Sequence, residues 1–285
     1  MTKGTLISVR ELAALIEGDN PLVLDCRKQL DAPQSGREAY LAGHVPGAVY
    51  ADLDGDLSDL SRVDLGRHPL PLEQDFSAVL GSWGWQPGRA VVAYDDAGGA
   101  LAAARAWWLL RLVGERDVRV LDGGFAAWTE AGLALESGVS PVDRTTVSIR
   151  YDADQLVDGA ALKSGLAAAA FRLLDARGAA RYRGETEPLD RAAGHVPGAH
   201  NRPFTDNLQA DGRFKPADQL AAEFSALIQP YAPVDVVHMC GSGVTACHNL
   251  LAMEHAGLSG SRLYAPSWSG WLADPANPVR TGQEP

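Results

Sequence analysis

The sequence predicts an α/β protein built from two tandem copies of one unit, each a parallel sheet with helices on both faces. Three observations carry that prediction. Segments of the first half reappear in the same order in the second half. Short apolar runs alternate with longer runs of helical periodicity. Small polar residues, Gly and Pro gather once, between the halves.

The self-similarity is direct. "LVLDCR" at Leu22–Arg27 returns as "RLLDAR" at Arg172–Arg177, and the six letters "GHVPGA" occur from Gly43 and again from Gly194. "VVAYD" at Val91–Asp95 is matched by "VVHMC" at Val236–Cys240, and "DGGFAAW" ending at Trp128 by "APSWSGW" ending at Trp271. Order is kept at an offset of about 145 to 150 residues, too long for a solenoid and suited to a duplicated domain. The first domain is placed at 1–135, a linker at 136–150 within the polar stretch Leu133–Arg150, and the second domain at 151–285.

Each element has a local reason. Ser8-Val-Arg-Glu11 has the spacing of a capping box and opens an apolar-periodic helix to Ile16. "PLVLD" reads as a short buried strand, "DFSAVLGSWGW" as a helix and "AVVAYD" as a second strand. "GALAAARAWWLLRLVG" predicts a long helix with a Gly after its last periodic residue, and "VRVLDGG" a further strand. Strands alternating with helices imply parallel pairing, and such sheets hold ligands at the carboxyl ends of their strands.

Composition bounds the function. With 285 residues, 46% hydrophobic and 21% charged, the chain is long enough for a substantial core. A net charge of −11 repels nucleic acid backbones and sets that partner aside. No apolar run is long enough to cross a bilayer, and the N-terminal stretch lacks the pattern of a signal peptide. Three cysteines, Cys26, Cys240 and Cys247, do not form a disulfide framework and fit a reducing compartment, so cytoplasm is expected. No CxxC or HxxxH cluster, P-loop or Rossmann glycine pattern occurs, so neither a metal nor a cofactor is expected.

One stretch carries chemistry. Cys240 ends a β-branched run and opens the loop Cys240-Gly-Ser-Gly-Val-Thr-Ala246, which leads into a helix beginning near Thr245 and closing at Gly257. Amides of Gly241, Gly243, Val244 and Thr245 are candidates for an anion-binding nest, reinforced by the positive end of the helix. Such a loop favours a charged sulfur, as thiolate or persulfide. An isolated cysteine is more often a small buried hydrophobe, which is how Cys247, inside the helix, and Cys26 are read. Cysteine phosphatases share this context but require an arginine six residues after the cysteine, where this chain has Ala246.

The loop "CGSGVTA", the doubled "GHVPGA" and the tandem layout resemble the two-domain rhodanese family of sulfurtransferases. The Gly-Ser pair after Cys240 is similar to its mercaptopyruvate branch, whereas the thiosulfate branch has Arg-Lys there. In that family the first copy lacks the nucleophile, and here Asp95 stands at the corresponding place. The resemblance implies that Arg181, in "DARGAARYRG", binds the donor anion, with Arg191 as a second arm, its spacing one residue longer than the pattern. Arg183 is read as a surface side chain. The resemblance also implies a proton relay of Ser242, His68 and Asp54, the last two contributed by the first copy. The Asp54–His68 segment is longer than the pattern, which leaves Asp52 and Asp56 as alternative acids.

The implied activity moves sulfane sulfur from 3-mercaptopyruvate through a Cys240 persulfide to a thiol, a thioredoxin-like protein or cyanide. A thiosulfate sulfurtransferase is the alternative, and a non-catalytic sulfur carrier or binding module the second alternative. His44 and His195, in the repeated box, are expected to hydrogen-bond backbone near a turn, and His238 to be packed. Trp107, Trp108, Trp128, Trp268 and Trp271 are assigned to core or interdomain packing, with the pocket mouth as an alternative place for Trp268.

Overall fold

The computed structural model describes residues 4–28, 32 and 34–285; Met1–Lys3, at the start of the stretch read against a signal peptide, lie outside them. The chain divides into two compact units. The first comprises Met1–Asp59, Pro71–Asp152 and Ala210–Phe214, the second Leu60–Leu70, Ala153–Gln209 and Lys215–Pro285.

In the first unit the elements run β1 (Leu6–Ile7), α1 (Val9–Asp19), β2 (Leu22–Asp25), α2 (Ser35–Ala42), β3 (Val49–Tyr50), α3 (Glu73–Ser82), β4 (Val91–Tyr94), α4 (Ala102–Leu112), β5 (Val118–Leu121) and α5 (Gly124–Glu130). The strands form one parallel sheet in the order β1-β5-β4-β2-β3. Every residue of β2 and β4 is buried, so both faces of the sheet are covered, which is why these strands read as continuous apolar runs. Helix α1 starts at the capping box: Glu11 N donates to Ser8 Oγ, and Ser8 N donates to Glu11 Oε2 at 2.9 Å.

Helix α4 departs from its sequence pattern. The apolar run begins at Gly99, but the helix begins only at Ala102. The amides of Ala97, Gly99 and Leu101 turn onto the Asp95 carboxylate, an acceptor that competes with the helical ladder. Stretch 136–150 carries no helix or strand and is fastened to the first unit through Glu136 N to His44 O, Gly138 N to Leu41 O and Thr145 N to Gly81 O.

The second unit runs α6 (Gly159–Ala167), β6 (Arg172–Asp175), α7 (Ala179–Arg183), β7 (Ala199–Asn201), α8 (Ala217–Ile228), β8 (Val236–Met239), α9 (Ala246–His255), β9 (Arg262–Leu263) and α10 (Ser267–Trp271). Its parallel sheet has the order β7-β6-β8-β9. The core gathers Leu173, Val237 and Met239 from the sheet with Tyr182, Trp268 and Trp271 from the helices.

One device is built twice and explains the repeated letters. Arg27 Nη2 donates to Asp25 Oδ2 at 2.6 Å and to the Gly43 carbonyl at 2.7 Å; Arg177 Nη2 donates to Asp175 Oδ2 at 2.6 Å and to the Gly194 carbonyl at 2.7 Å. The arginine at the strand end thus ties the "GHVPGA" box to the sheet. The box histidine completes the tie. His44 stacks on Tyr40 with Nδ1 at 2.7 Å from the Tyr40 carbonyl, and His195 stacks on Tyr182 with Nδ1 at 2.8 Å from its carbonyl. Both ion pairs are buried, and removing one partner leaves an unpaired charge in the interior. Arg177→Met is therefore expected to destabilise the second unit by about 3–5 kcal/mol. Urea unfolding measures this, and a loss under about 1 kcal/mol contradicts the role.

Candidate active site

Strand β8 is buried along its whole length and delivers Cys240 at its carboxyl end. The next five residues turn into α9, whose N-cap is Thr245. Gly243 makes the turn possible: its φ is +81°, and a Cβ there would meet the Ala265 carbonyl oxygen at 2.4 Å. Its amide points inward and donates to Cys240 Sγ at 3.1 Å. The opposite edge of the loop is fixed to α10. Cys240 N donates to Ser267 Oγ at 3.1 Å, Trp268 N to the Cys240 carbonyl and Ser269 N to the Gly241 carbonyl, both at 2.9 Å. Cys240 is buried, 2% exposed. Cys247 is buried in α9 with its sulfur 3.3 Å from the Gly243 carbonyl, and Cys26 is buried after β2.

Ser242 is nearly buried, and its Oγ lies 2.7 Å from His68 Nδ1. His68 belongs by sequence to the first copy, but the segment Leu60–Leu70 packs in the second unit, so this contact is internal to that unit. Arg67 N donates to Ser269 Oγ at 3.0 Å and Arg62 Nη1 to the Leu70 carbonyl at 2.8 Å, which holds the segment in place. Asp54 lies in the first unit, where Lys28 Nζ donates to its Oδ2 at 2.6 Å. Asp52 and Asp56 shape the same turn: Asp52 Oδ1 accepts from Asp54 N, and Asp56 Oδ2 accepts from Asp52 N. Burial pushes the Asp56 carboxyl up to about 6.

The arginines separate by what they touch. Arg181, on α7, donates from Nε and Nη2 to Glu187 at 3.1 and 2.6 Å, and from Nη2 to Asp190 Oδ2 at 3.2 Å. Burial raises the Glu187 carboxyl, but the hydrogen bond and charge of Arg181 together with the amides of Leu189 and Asp190 outweigh it, so the net direction is downward. Arg191 donates from Nε to the Leu272 carbonyl at 3.0 Å, just beyond α10. Arg183 pairs with exposed Glu185 at 2.6 Å.

Two arginines escaped the sequence reading. Arg177 is buried. Burial works against its charge, but Asp175, Glu187 and the Cys240 sulfur outweigh that, and the guanidinium is held firmly cationic beside Cys240. Its signal was available in the doubled Asp-x-Arg. Arg67 reaches Gly241 and ion-pairs with Asp190, and beyond its place before His68 no pattern marks it. Trp268 is fully buried under Arg177, 4.7 Å from guanidinium carbon to ring centre, with Nε1 donating to the Ala192 carbonyl. It is a packing residue, as expected, and its burial sets aside the alternative place at the pocket mouth. His238 is fully buried in β8 with neither ring nitrogen hydrogen-bonded among the described residues, and burial pushes its imidazole down to about 3, keeping it neutral.

The first unit holds the counterpart of the loop with an anion built in. Asp95 follows β4 as Cys240 follows β8, and its carboxylate accepts from the amides of Ala97 (2.9 Å), Gly99 (2.7 Å), Leu101 (3.1 Å) and Ala103 (3.2 Å). Burial pushes this carboxyl up and the amides pull it back, leaving the net direction upward. All four contacts are N–H donors, which suits the ionised form. Among the described residues, no group of His, Cys, Asp and Glu is arranged to hold a metal ion.

Fold and site together define a class: a tandem α/β protein whose second sheet presents a cysteine in a glycine-containing strand-to-helix loop, beside arginine and a serine–histidine pair. The rhodanese-like domain model matches residues 8–131 and 158–274. The chain is 49% identical over 284 residues to the "Probable 3-mercaptopyruvate sulfurtransferase" of Pseudomonas aeruginosa, covering 99% of this chain and 100% of the relative. It is 32% identical to the thiosulfate sulfurtransferase of Cricetulus griseus, over 98% of this chain and 95% of that one. Among solved structures, SseA of Escherichia coli, titled a 3-mercaptopyruvate sulfotransferase, superposes with a TM-score of 0.81 at 30% identity, covering 94% of this chain and all of that one. The chain belongs to the rhodanese-like domain family.

Proposed function

We propose that the chain is a sulfurtransferase that takes sulfane sulfur from 3-mercaptopyruvate onto Cys240 and passes it to a thiol, a thioredoxin-like protein or cyanide. The observation that carries this reading is the Cys240 sulfur held 3.1 Å from an inward-pointing loop amide, with Ser242 and His68 hydrogen-bonded at 2.7 Å on the same loop. The thiolate attacks the donor sulfur and a sulfur–sulfur bond forms. The carbon–sulfur bond breaks, its electron pair passes to the donor carbon, and pyruvate leaves as the enolate. Ser242 and His68 supply the proton that this carbon takes up, with Asp54 as the proposed third member. The loop amides of Gly241, Gly243, Val244 and Thr245 stabilise the persulfide anion, and Arg181, with Arg191 as a proposed second arm, receives the donor carboxylate.

In this reading residues 1–135 form a supporting domain whose nest Asp95 already fills, 136–150 a connector and 151–285 the catalytic domain. A cytoplasmic setting belongs to the same proposal, supported by three free cysteines. Among the described residues no helix is long and apolar enough to cross a membrane.

Thiosulfate is the second reading, favoured by the likeness to the Cricetulus griseus enzyme. Charge ranks it lower. Arg67, Arg177 and Arg181 form one hydrogen-bonded cluster with Asp175, Glu187 and Asp190, which balances them and leaves little excess for a dianion. Steady-state kinetics with both donors, measured side by side, test the order. Replacing Gly241-Ser242 by Arg-Lys is expected to shift the donor ratio about tenfold or more towards thiosulfate. A Cβ at position 241 starts 2.9 Å from Arg67 Nη2 and 3.4 Å from Arg181 Nη2, so a third cation there displaces both. An unchanged ratio removes the loop from donor selection.

A further inference from the structure

We propose that the first unit holds a binding site for a small zwitterion, an α-amino acid with an apolar side chain, in a cavity between α2, β3 and the stretch 136–150. The cavity measures about 390 Å3, and all its lining residues belong to that unit. Its walls are largely apolar. Tyr40 of α2 and Tyr50 of β3 set their ring centres 5.7 Å apart, and Trp83 caps the C-terminal end of α3. Both tyrosine hydroxyls are already engaged: Tyr40 Oη donates to the Ala48 carbonyl at 3.0 Å, and Tyr50 Oη lies 3.4 Å from Asp52 Oδ2. Ser140 N donates to Tyr40 Oη at 3.1 Å, and Ser140 Oγ lies 3.0 Å from His44 Nε2, which fastens the stretch 136–150 along one side. Val139 of that stretch is 68% exposed, apolar surface that a bound side chain would cover.

Three charged side chains line the cavity and decide the class of ligand. Arg37 and Arg144 are exposed, and among the described residues neither has a hydrogen bond or an ion pair. Asp56 accepts from the Asp52 amide on Oδ2 at 2.8 Å, and among the described residues no hydrogen bond reaches its Oδ1. Burial, with the charge of Asp52, pushes the Asp56 carboxyl up to about 6 against the Asp52 amide and Arg37. An ammonium group beside Asp56 would offset both unfavourable influences. Arg37 acts on the Asp56 charge, so the two signs lie within the span of one small molecule. An organic anion alone would face Asp56, and an organic cation alone would face two guanidinium groups. A zwitterion satisfies both signs, with its carboxylate on the arginines, its ammonium on Asp56 Oδ1 and its apolar body against the rings.

Isothermal titration calorimetry of the full chain at about pH 8, where Asp56 is ionised, tests the site with probes of one shape. These are L-phenylalanine, 3-phenylpropionate, which lacks the ammonium, and 2-phenylethylamine, which lacks the carboxylate. L-Phenylalanine is expected to bind with a Kd of about 1 mM or below, and the other two at least about tenfold more weakly. Arg144→Gln is expected to weaken L-phenylalanine about tenfold and to leave 2-phenylethylamine within about twofold of its wild-type affinity. Asp56→Asn keeps an oxygen for the Asp52 amide and is expected to bring L-phenylalanine and 3-phenylpropionate within about twofold of each other. A merely structural role would weaken all probes together in these variants, and that outcome overturns the assignment. So does L-phenylalanine that gives no binding heat at about 10 mM, or that binds both variants as it binds the wild type. No sulfur donor enters the measurement, so failure here leaves the sulfurtransferase reading intact.

Discussion

Cys240→Ser is expected to reduce sulfur transfer from 3-mercaptopyruvate and from thiosulfate alike by a factor on the order of 10^3 or more. The substitution replaces a polarisable nucleophile with a hydroxyl that holds no sulfane sulfur, while its small volume leaves the loop intact. The Gly243 amide that lies 3.1 Å from Cys240 Sγ would face an oxygen instead, so the fold is expected to survive. Discontinuous assays of pyruvate and sulfite release measure the loss. Retained turnover in a protein with unchanged circular dichroism would separate the chemistry from this cysteine.

His68→Ala is expected to divide the two donors. Loss of general acid–base assistance costs about 10^2 to 10^4 in turnover when a proton must reach carbon. Pyruvate leaves as a carbanion-like enolate and needs that proton, whereas sulfite leaves as a stable anion. Turnover with 3-mercaptopyruvate should fall by about that factor, and with thiosulfate by about tenfold or less. The structural basis is the 2.7 Å separation of His68 Nδ1 and Ser242 Oγ, fixed by the anchoring of Arg67 N on Ser269 Oγ. Equal losses with both donors would take the serine–histidine pair out of proton delivery.

How far the residues revealed all this depends on whether a feature is local in sequence. The capping box at Ser8–Glu11, the apolar strands and the cysteine loop are each contiguous, and their physics can be read letter by letter. The start of α4 was missed because Asp95 is a stronger acceptor for the preceding amides than the helix ladder, a competition that periodicity does not display. Arg177 was legible in the doubled Asp-x-Arg, yet its burial next to Cys240 follows only from packing β6 against β8. His68 came from the family resemblance alone, since a histidine in a loop carries no periodic signal. Arg67 gave none, because its contacts with Asp190 and Ser269 join residues far apart in sequence. Trp268 was legible as a packing aromatic, but its partner, the buried Arg177 guanidinium over its ring, follows only from the fold.

The central claim concerns one atom, the Cys240 sulfur, as the carrier between donor and acceptor. Peptide mass spectrometry after exposure to 3-mercaptopyruvate without acceptor tests it most directly. The account predicts one added sulfur on the peptide holding Cys240, removed when cyanide is supplied. Pyruvate release with that peptide unmodified, or the added sulfur on Cys26 or Cys247 instead, would contradict it.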